Sequence, residues 1–329
     1  MKHLISVYLL LLSCQCLSSE DHPLSTATEP HDLQQSQTMT LEPIDLNALE
    51  QLPRTVESHP TTSSRAELHN QNKNTKSLQQ TIPPHADEPI KPPALVLKPV
   101  PSSTQKPAQL AIIIDDIGYN WSLGKRALEL SDQLTFALLP FATYSDKLYQ
   151  HGVSGNRELM LHAPMSALSG KYLAEDGLES GLSQAEFYRR LRKALDSMPE
   201  VRGVNNHMGS QLTQELQPMH WLTAELKQRE LYFIDSKTSA QSVAFEVASR
   251  AQVPSLKRDV FLDNNKSPEA ILNQLQKAIA RAHHKGQAIA ICHPYPETLA
   301  VLSSTLPQLQ SLGIELTPVS KLKLSGGDN

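Results

Sequence analysis

Aromatic residues are scarce in this 329-residue sequence, at 5%, and none occurs between Ser18 and Gly118. Glycine is missing from the same region. All 13 glycines lie from Gly118 onward, whereas 13 of the 23 prolines lie between Pro23 and Pro107. A proline-rich stretch without aromatics cannot bury the apolar area needed to offset a backbone ordering cost of about 1–2 kcal/mol per residue. Three cysteines exclude a disulfide-dense scaffold. With 30 Lys+Arg against 34 Asp+Glu the net charge is -4, so the general electrostatic footprint of a nucleic-acid binder is absent. No apolar run reaches the ~20 residues of a spanning helix. A prior of roughly 150 residues per domain suggests two domains. The uneven composition argues instead for one folded domain behind a long tail.

Residues 1–19 read as a signal peptide: Lys2 and His3, an apolar run from Leu4 to Ser13, then Ser18-Ser19 before Glu20-Asp21. Export to the periplasm or cell envelope is expected, with no transmembrane segment in the mature form. Two alternatives stay open: acylation at Cys14, since Leu11-Leu12-Ser13-Cys14 resembles a lipobox, and an uncleaved anchor. If Cys14 and Cys16 leave with the signal, Cys292 stands alone. Residues 20–106 are expected to form a disordered Pro/Ser/Thr/Gln-rich linker, a spacer on the order of 50 Å end to end. Within it Leu41, Ile44, Leu46, Leu49 and Leu52 offer a short segment through which a protein partner can dock.

Beyond Pro107 the pattern changes. Leu110 to Ile114 is a continuous apolar run, as in a strand covered on both faces. Shorter runs recur at Thr135 to Leu139, Glu158 to Leu161, Val201 to Asn205, Leu231 to Ile234 and Ala288 to Cys292. Amphipathic helical stretches lie between them. Ser183-Gln184-Ala185-Glu186 is a capping box before Phe187, Leu191 and Leu195, and Pro199 ends that run. Ser267-Pro268 starts another helix, through Leu272, Leu275 and Ile279, and Gly286 sits at its C-cap. Thr213 to Arg229 and Ser239 to Arg250 predict two more. The alternation predicts an α/β fold with a parallel sheet, either a barrel or doubly wound, over residues 107–324, with 325–329 as a C-terminal tail.

In both architectures the reactive groups collect at the carboxyl ends of strands. The first run ends in Asp115-Asp116-Ile117-Gly118, the third in His162 and the fourth in Asn205-Asn206-His207. The run at Tyr232 ends in Asp235, the last one in His293, and Asp259 and Asp263 flank Val260-Phe261-Leu262. Taken singly, an Asp pair is often a turn former and a lone His a satisfied core residue. Together they share one rim. A carboxylate with two neutral imidazoles suits Zn²⁺ or a related divalent metal, which lowers the pKa of water and polarises a carbonyl. The remaining Asp of the pair is then available as a general base, and a further His as an acid. Cys292 and His293 should point to opposite faces, which argues against a Cys–His nucleophile. His151, His220, His283 and His284 fall on helices and read as surface residues.

At these residues the sequence resembles the divergent polysaccharide deacetylase family, relatives of the NodB-type carbohydrate esterases. The matching pieces are Ile113 to Gly118, Leu161-His162-Ala163-Pro164-Met165, Asn205-Asn206-His207-Met208-Gly209-Ser210, Asp235-Ser236-Lys237-Thr238 and Ile291-Cys292-His293-Pro294. The resemblance implies a distorted (β/α) barrel of the NodB/polysaccharide deacetylase type and a divalent metal, with zinc the expected ion. It implies Asp116, His162 and His207 as metal ligands, Asp115 as base, His293 as acid, and Asp235 orienting His293 or lining the cleft. Two departures stand out. The residue four after His162 is Ser166, where NodB-type enzymes place their second metal histidine, and no active-site Arg-Pro motif is evident.

The function expected from this is an exported metal-dependent hydrolase that removes acetyl groups from an envelope polysaccharide. The alternative is a catalytically inactive protein of the same fold that binds glycan or a protein partner. A metal phosphoesterase is disfavoured because no Arg/Lys cluster is evident at the strand ends.

Overall fold

The computed structural model describes residues 96–99 and 106–326, except 172, 174 and 175. The expected signal, Cys14 and the segment Leu41 to Leu52 lie outside the described residues.

Among the described residues strand and helix alternate as the pattern predicts. The strands are β1 (Ala108–Ile117), β2 (Thr135–Leu138), β3 (Glu158–Met165), β4 (Gly203–Met208), β5 (Tyr232–Asp235), β6 (Ser255–Lys257), β7 (Val260–Phe261), β8 (Gln287–Cys292) and β9 (Ile314–Leu316). The helices are α1 (Trp121–Leu128), α2 (Ser145–Ser154), α3 (Gln184–Asp196), α4 (Leu216–Gln228), α5 (Ala244–Arg250), α6 (Pro268–Lys285) and α7 (Pro296–Thr305). The capping signals fall where expected. Ser183 and Ser267 accept from Glu186 N and Ala270 N, and Gly286 ends α6 in the left-handed region. Two helices are shorter than predicted. A 3₁₀ turn at Leu212–Gln214 precedes α4, and α5 begins only at Ala244, because Ser239 and Ser242 use their hydroxyls in turns.

The strands pair in parallel in the order β6-β5-β4-β3-β2-β1-β8-β7, with β9 alongside the start of β1. The sheet curls into a distorted, incompletely closed barrel whose edge strands β6 and β7 are joined in the chain by Arg258 and Asp259. Arg258 N–H extends the β5–β6 ladder onto Asp235 O at 3.0 Å and Asp259 N–H extends the β7–β8 ladder onto Ile289 O at 2.9 Å, while among the described residues no ladder pairs β6 with β7. The barrel interior is filled by Ala111, Ile113, Ala137, Met160, Ile234, Ile289 and Ile291. The other face of each strand packs under the helices, through Ile112, Ile114, Phe136, Leu161 and Val204 against residues such as Phe187, Leu191 and Leu275. Each such side chain contributes roughly 1.5–3 kcal/mol on burial. The segment after β9 seals the end where strands begin, as Val319 N bonds Thr135 Oγ1 and Ser320 N bonds Glu158 Oε1. The reactive groups are left at the opposite end.

Both expected domain edges extend further. Leu97 is buried, and Lys98 exchanges two hydrogen bonds with the Gln276 amide, so residues assigned to the linker dock on α6. Ser325, assigned to the tail, bonds Ser255 through both backbone groups. No helix among the described residues is long and apolar enough to cross a membrane.

Two consequences are measurable. A Cβ added at Gly203 would lie 2.2 Å from the Tyr232 ring, which its hydroxyl bond to Glu158 holds in place. Gly203→Ala should therefore lower stability by about 1–3 kcal/mol, seen as a lower urea midpoint at unchanged slope. Cys292 is fully buried on the helix-facing side of β8, and burial pushes its thiol well above the ordinary value. In a Cys14→Ser, Cys16→Ser background, a thiol reagent should react with Cys292 only under denaturing conditions. Rapid native labelling would contradict this packing.

Candidate metal centre and active site

Strand alternation sets most of the site. Following Ala111 and Ile113 into the barrel, the next inward position of β1 is Asp115. On β3, Met160 leads to His162. On β4, Gly203 leads to Asn205 and His207, and on β8 the inward series Ile289, Ile291 continues to His293. Asp116 breaks the rule. By alternation it belongs with Ile112 and Ile114 on the helix side, but its φ of 58° and a register shift against β2 turn its carboxylate into the cleft. Gly118 permits the turn, since a Cβ there would lie 2.7 Å from Ser145 Oγ.

The ligand atoms converge. Asp116 Oδ1 lies 2.9 Å from His207 Nδ1 and 3.2 Å from His162 Nε2, and the two nitrogens are 3.1 Å apart. Although sealed from solvent, Asp116 Oδ1 accepts no hydrogen bond of proper geometry. Contact without hydrogen bonding is what ligands of a common ion show. A tetrahedral ion with bonds of ~2.0–2.1 Å sets its ligands ~3.3 Å apart, close to this triangle. The orphaned oxygen, the spacing and the one-carboxylate, two-imidazole donor set all fit a divalent metal.

Neighbouring groups orient the ligands. His162 Nδ1 pairs with Asn205 Oδ1 at 2.7 Å, and donation from that nitrogen leaves Nε2 as the lone pair facing Asp116. Asn205 Nδ2 donates to Asp115 Oδ1 at 2.8 Å, so one amide couples the proposed base to a ligand. Burial pushes the Asp115 carboxyl above its ordinary value, against the pull of His162 and Asn205. Burial acts the same way on Asp116, but His162 and His207 outweigh it and hold that carboxyl well below the usual range. Burial pulls His162 down, yet Asp115 and Asp116 prevail and push it up to about 9.

His293 stands across the cleft, its Nε2 3.8 Å from Asp116 Oδ2. Its Nδ1 pairs with Asp263 Oδ1 at 3.0 Å, while His293 N and Thr298 Oγ1 hold Asp263 Oδ2. Burial depresses the imidazole, but Asp263 outweighs it and raises its pKa.

The cleft, about 390 Å³, brings together Asp115, Asp116, His162, His207 and His293. Asp235 is the exception. It lies on the helix side of β5 with Phe233, where its carboxylate accepts from Lys237 N and Ser242 Oγ, each at 2.8 Å. It neither orients His293 nor lines the cleft, and the residue that orients His293 is Asp263. Two cations also escaped the sequence reading. Arg258 and Lys237 line the cleft, with Arg258 Nε and Nη2 donating to Ser236 O and Lys237 O. Arg258 and Asp263 sit in and just after the short β6–β7 region, whose few residues carry no readable period. His283, expected at the surface, is buried and bonds Leu312 O.

Comparison with known proteins places this geometry. The model of the family described as divergent polysaccharide deacetylase matches residues 112–323. An uncharacterized protein of Haemophilus influenzae is 36% identical over 202 residues, covering 61% of this chain and 72% of that one. The uncharacterized YibQ of Escherichia coli is 34% identical over 208 residues, covering 63% of this chain and 65% of its own. Among solved structures, an uncharacterized protein from Agrobacterium tumefaciens shares the fold at a TM-score of 0.62 and 24% identity, covering 68% of this chain and 92% of the other. With a site of this composition inside the matched span, the chain belongs to the divergent polysaccharide deacetylase family.

Proposed function

We propose that this protein is a metal-dependent hydrolase, exported to the cell envelope, that removes acetyl groups from a polysaccharide there. The observation that carries the reading is the Asp116–His162–His207 triangle, with a buried carboxylate on one side of it and a carboxylate-held histidine on the other. Family membership supports the substrate class, and the apolar start of the chain supports export.

Zinc or a similar cation held by Asp116, His162 and His207 would polarise the acyl carbonyl and make water a stronger nucleophile near neutral pH. Asp115 accepts the proton of the attacking water, and its raised pKa makes it a better base than an exposed carboxylate. Asn205 keeps that carboxylate beside His162. His293 donates a proton from Nε2 to the departing amine or alkoxide, because Asp263 engages Nδ1 and favours the charged imidazolium.

Elemental analysis and acetate release on acetylated glycans test these roles. Asp116→Ala should reduce bound zinc from about one per chain to near none, and acetate release with it. Asp115→Asn should keep the metal while acetate release falls roughly 10²–10⁴-fold. Full acetate release by the Asn variant would remove Asp115 as the base, and no acetate release from the zinc-loaded wild type would sink the hydrolase reading in favour of glycan binding. Asp263→Asn should lower acetate release about 10–100-fold at unchanged metal content. It should also move the pH profile. The acid must be protonated, so activity is lost as pH rises through the His293 pKa. Without Asp263 that pKa falls, and the loss begins at lower pH.

A further inference from the structure

Arg258 and Asp259 alone join β6 to β7, so this connection carries no helix, and α6 borders it. A groove of about 630 Å³ opens there, with Val260 and Phe261 on one side and Lys277, Arg281 and His284 of α6 on the other. These three α6 residues recur at helical spacing and are exposed. The groove lining holds two full cations, Lys277 and Arg281, against the single carboxylate of Asp259, in a protein of net charge -4. That carboxylate is already engaged: Asp259 takes Lys285 Nζ at 2.7 Å and Ile289 N at 3.1 Å, with Arg281 further off at 4.0 Å. The groove also adjoins the reaction centre, because Phe261 lines both it and the cleft and meets His293 edge-on at 5.4 Å between ring centroids.

We propose that this groove binds a carboxylate-bearing stretch of the saccharide whose acetylated unit occupies the cleft, which rests on the deacetylase reading for the cleft itself. Guanidinium and ammonium groups pair with sugar carboxylates, and the half-buried Phe261 ring receives the less polar face of a sugar ring. The substrate class is thereby narrowed to an acidic, N- or O-acetylated polysaccharide. Each exposed ion pair contributes at most about fivefold in affinity, so two or three of them act together.

The test is titration calorimetry on the zinc-loaded exported protein with two N-acetylated hexasaccharides, one from hyaluronan and one from chitin. The first carries carboxylates and the second does not. The acidic saccharide should bind about tenfold more tightly at about 50 mM NaCl, and the preference should shrink to near nothing at about 500 mM. In the double variant Lys277→Gln, Arg281→Gln the preference should disappear, with binding of the chitin hexasaccharide and acetate release from it unchanged. Equal affinity for the two saccharides in the wild type, no binding of either, or a preference that survives the double variant overturns the groove. Preferential binding of the acidic saccharide without acetate release from either one upholds the groove and sinks the deacetylase reading instead.

Discussion

Two adjacent carboxylates can serve one cleft only if the strand that carries them breaks its own alternation, and β1 does so at Asp116. Side chains along a strand point to opposite faces, so Asp115 and Asp116 would otherwise be separated by the sheet itself. The left-handed φ of Asp116 and the local register shift remove that separation. A left-handed aspartate costs energy, of order 1–3 kcal/mol, and persists only where its surroundings over-determine it. Those surroundings are visible: Gly118 packs against Ser145, Leu139 N bonds Ile117 O, and Tyr144 N bonds Gly118 O. Met208, the last residue of β4, and Lys237 after β5 are also left-handed, so three strand ends turn sharply where the cleft begins.

The electrostatics of the centre follow from that turn. Asp115 is buried and Asp116 partly so, on consecutive residues, with His162 within 3.8 Å of the first and 3.2 Å of the second. Taking carboxylates out of water is unfavourable unless they are paired or hydrogen-bonded. Asn205 meets part of the need at Asp115, yet Asp116 Oδ1 is left without a hydrogen bond. A divalent cation facing the same lone pairs would offset that charge.

Six of the nine strands and the capped helices were legible in the sequence because each follows a periodic or capping rule, and four of the six proposed site residues follow the strand alternation, whereas Asp116 enters the cleft against it. Asp235 shows where those rules fail. In a strand buried on both faces the run Tyr232-Phe233-Ile234 is apolar throughout, so it does not tell which parity faces inward. The structure puts Tyr232 and Ile234 inside, and Asp235 therefore faces the helices. The role of Asp263 was hidden for a related reason. It follows a two-residue strand, too short for any period, and its partner His293 is 30 residues away in sequence. The curl of the sheet was equally unreadable, since it rests on backbone pairing of which the side chains carry no signal.

The position of the second imidazole shows how the centre tolerates its main departure. The residue four after His162 is Ser166, which stands outside the ligand set and braces the neighbouring loops. Its hydroxyl accepts from Ser180 N, and its carbonyl from Gln211 N and Leu212 N. A pair of histidines on one helical turn brings two rings together because residues four apart share a face. Neighbouring parallel strands provide an equivalent, being ~4.8 Å apart with inward positions recurring every second residue. Here His162 lies opposite Asn205 and His207 follows two residues later on the same face of β4, so the rings meet with their nitrogens 3.1 Å apart. The exchange has a consequence of its own. Asn205, the residue that registers with His162, becomes the group that fixes its tautomer and reaches Asp115. Asn205 thus ties the His162 ring and the Asp115 carboxylate together through one side chain.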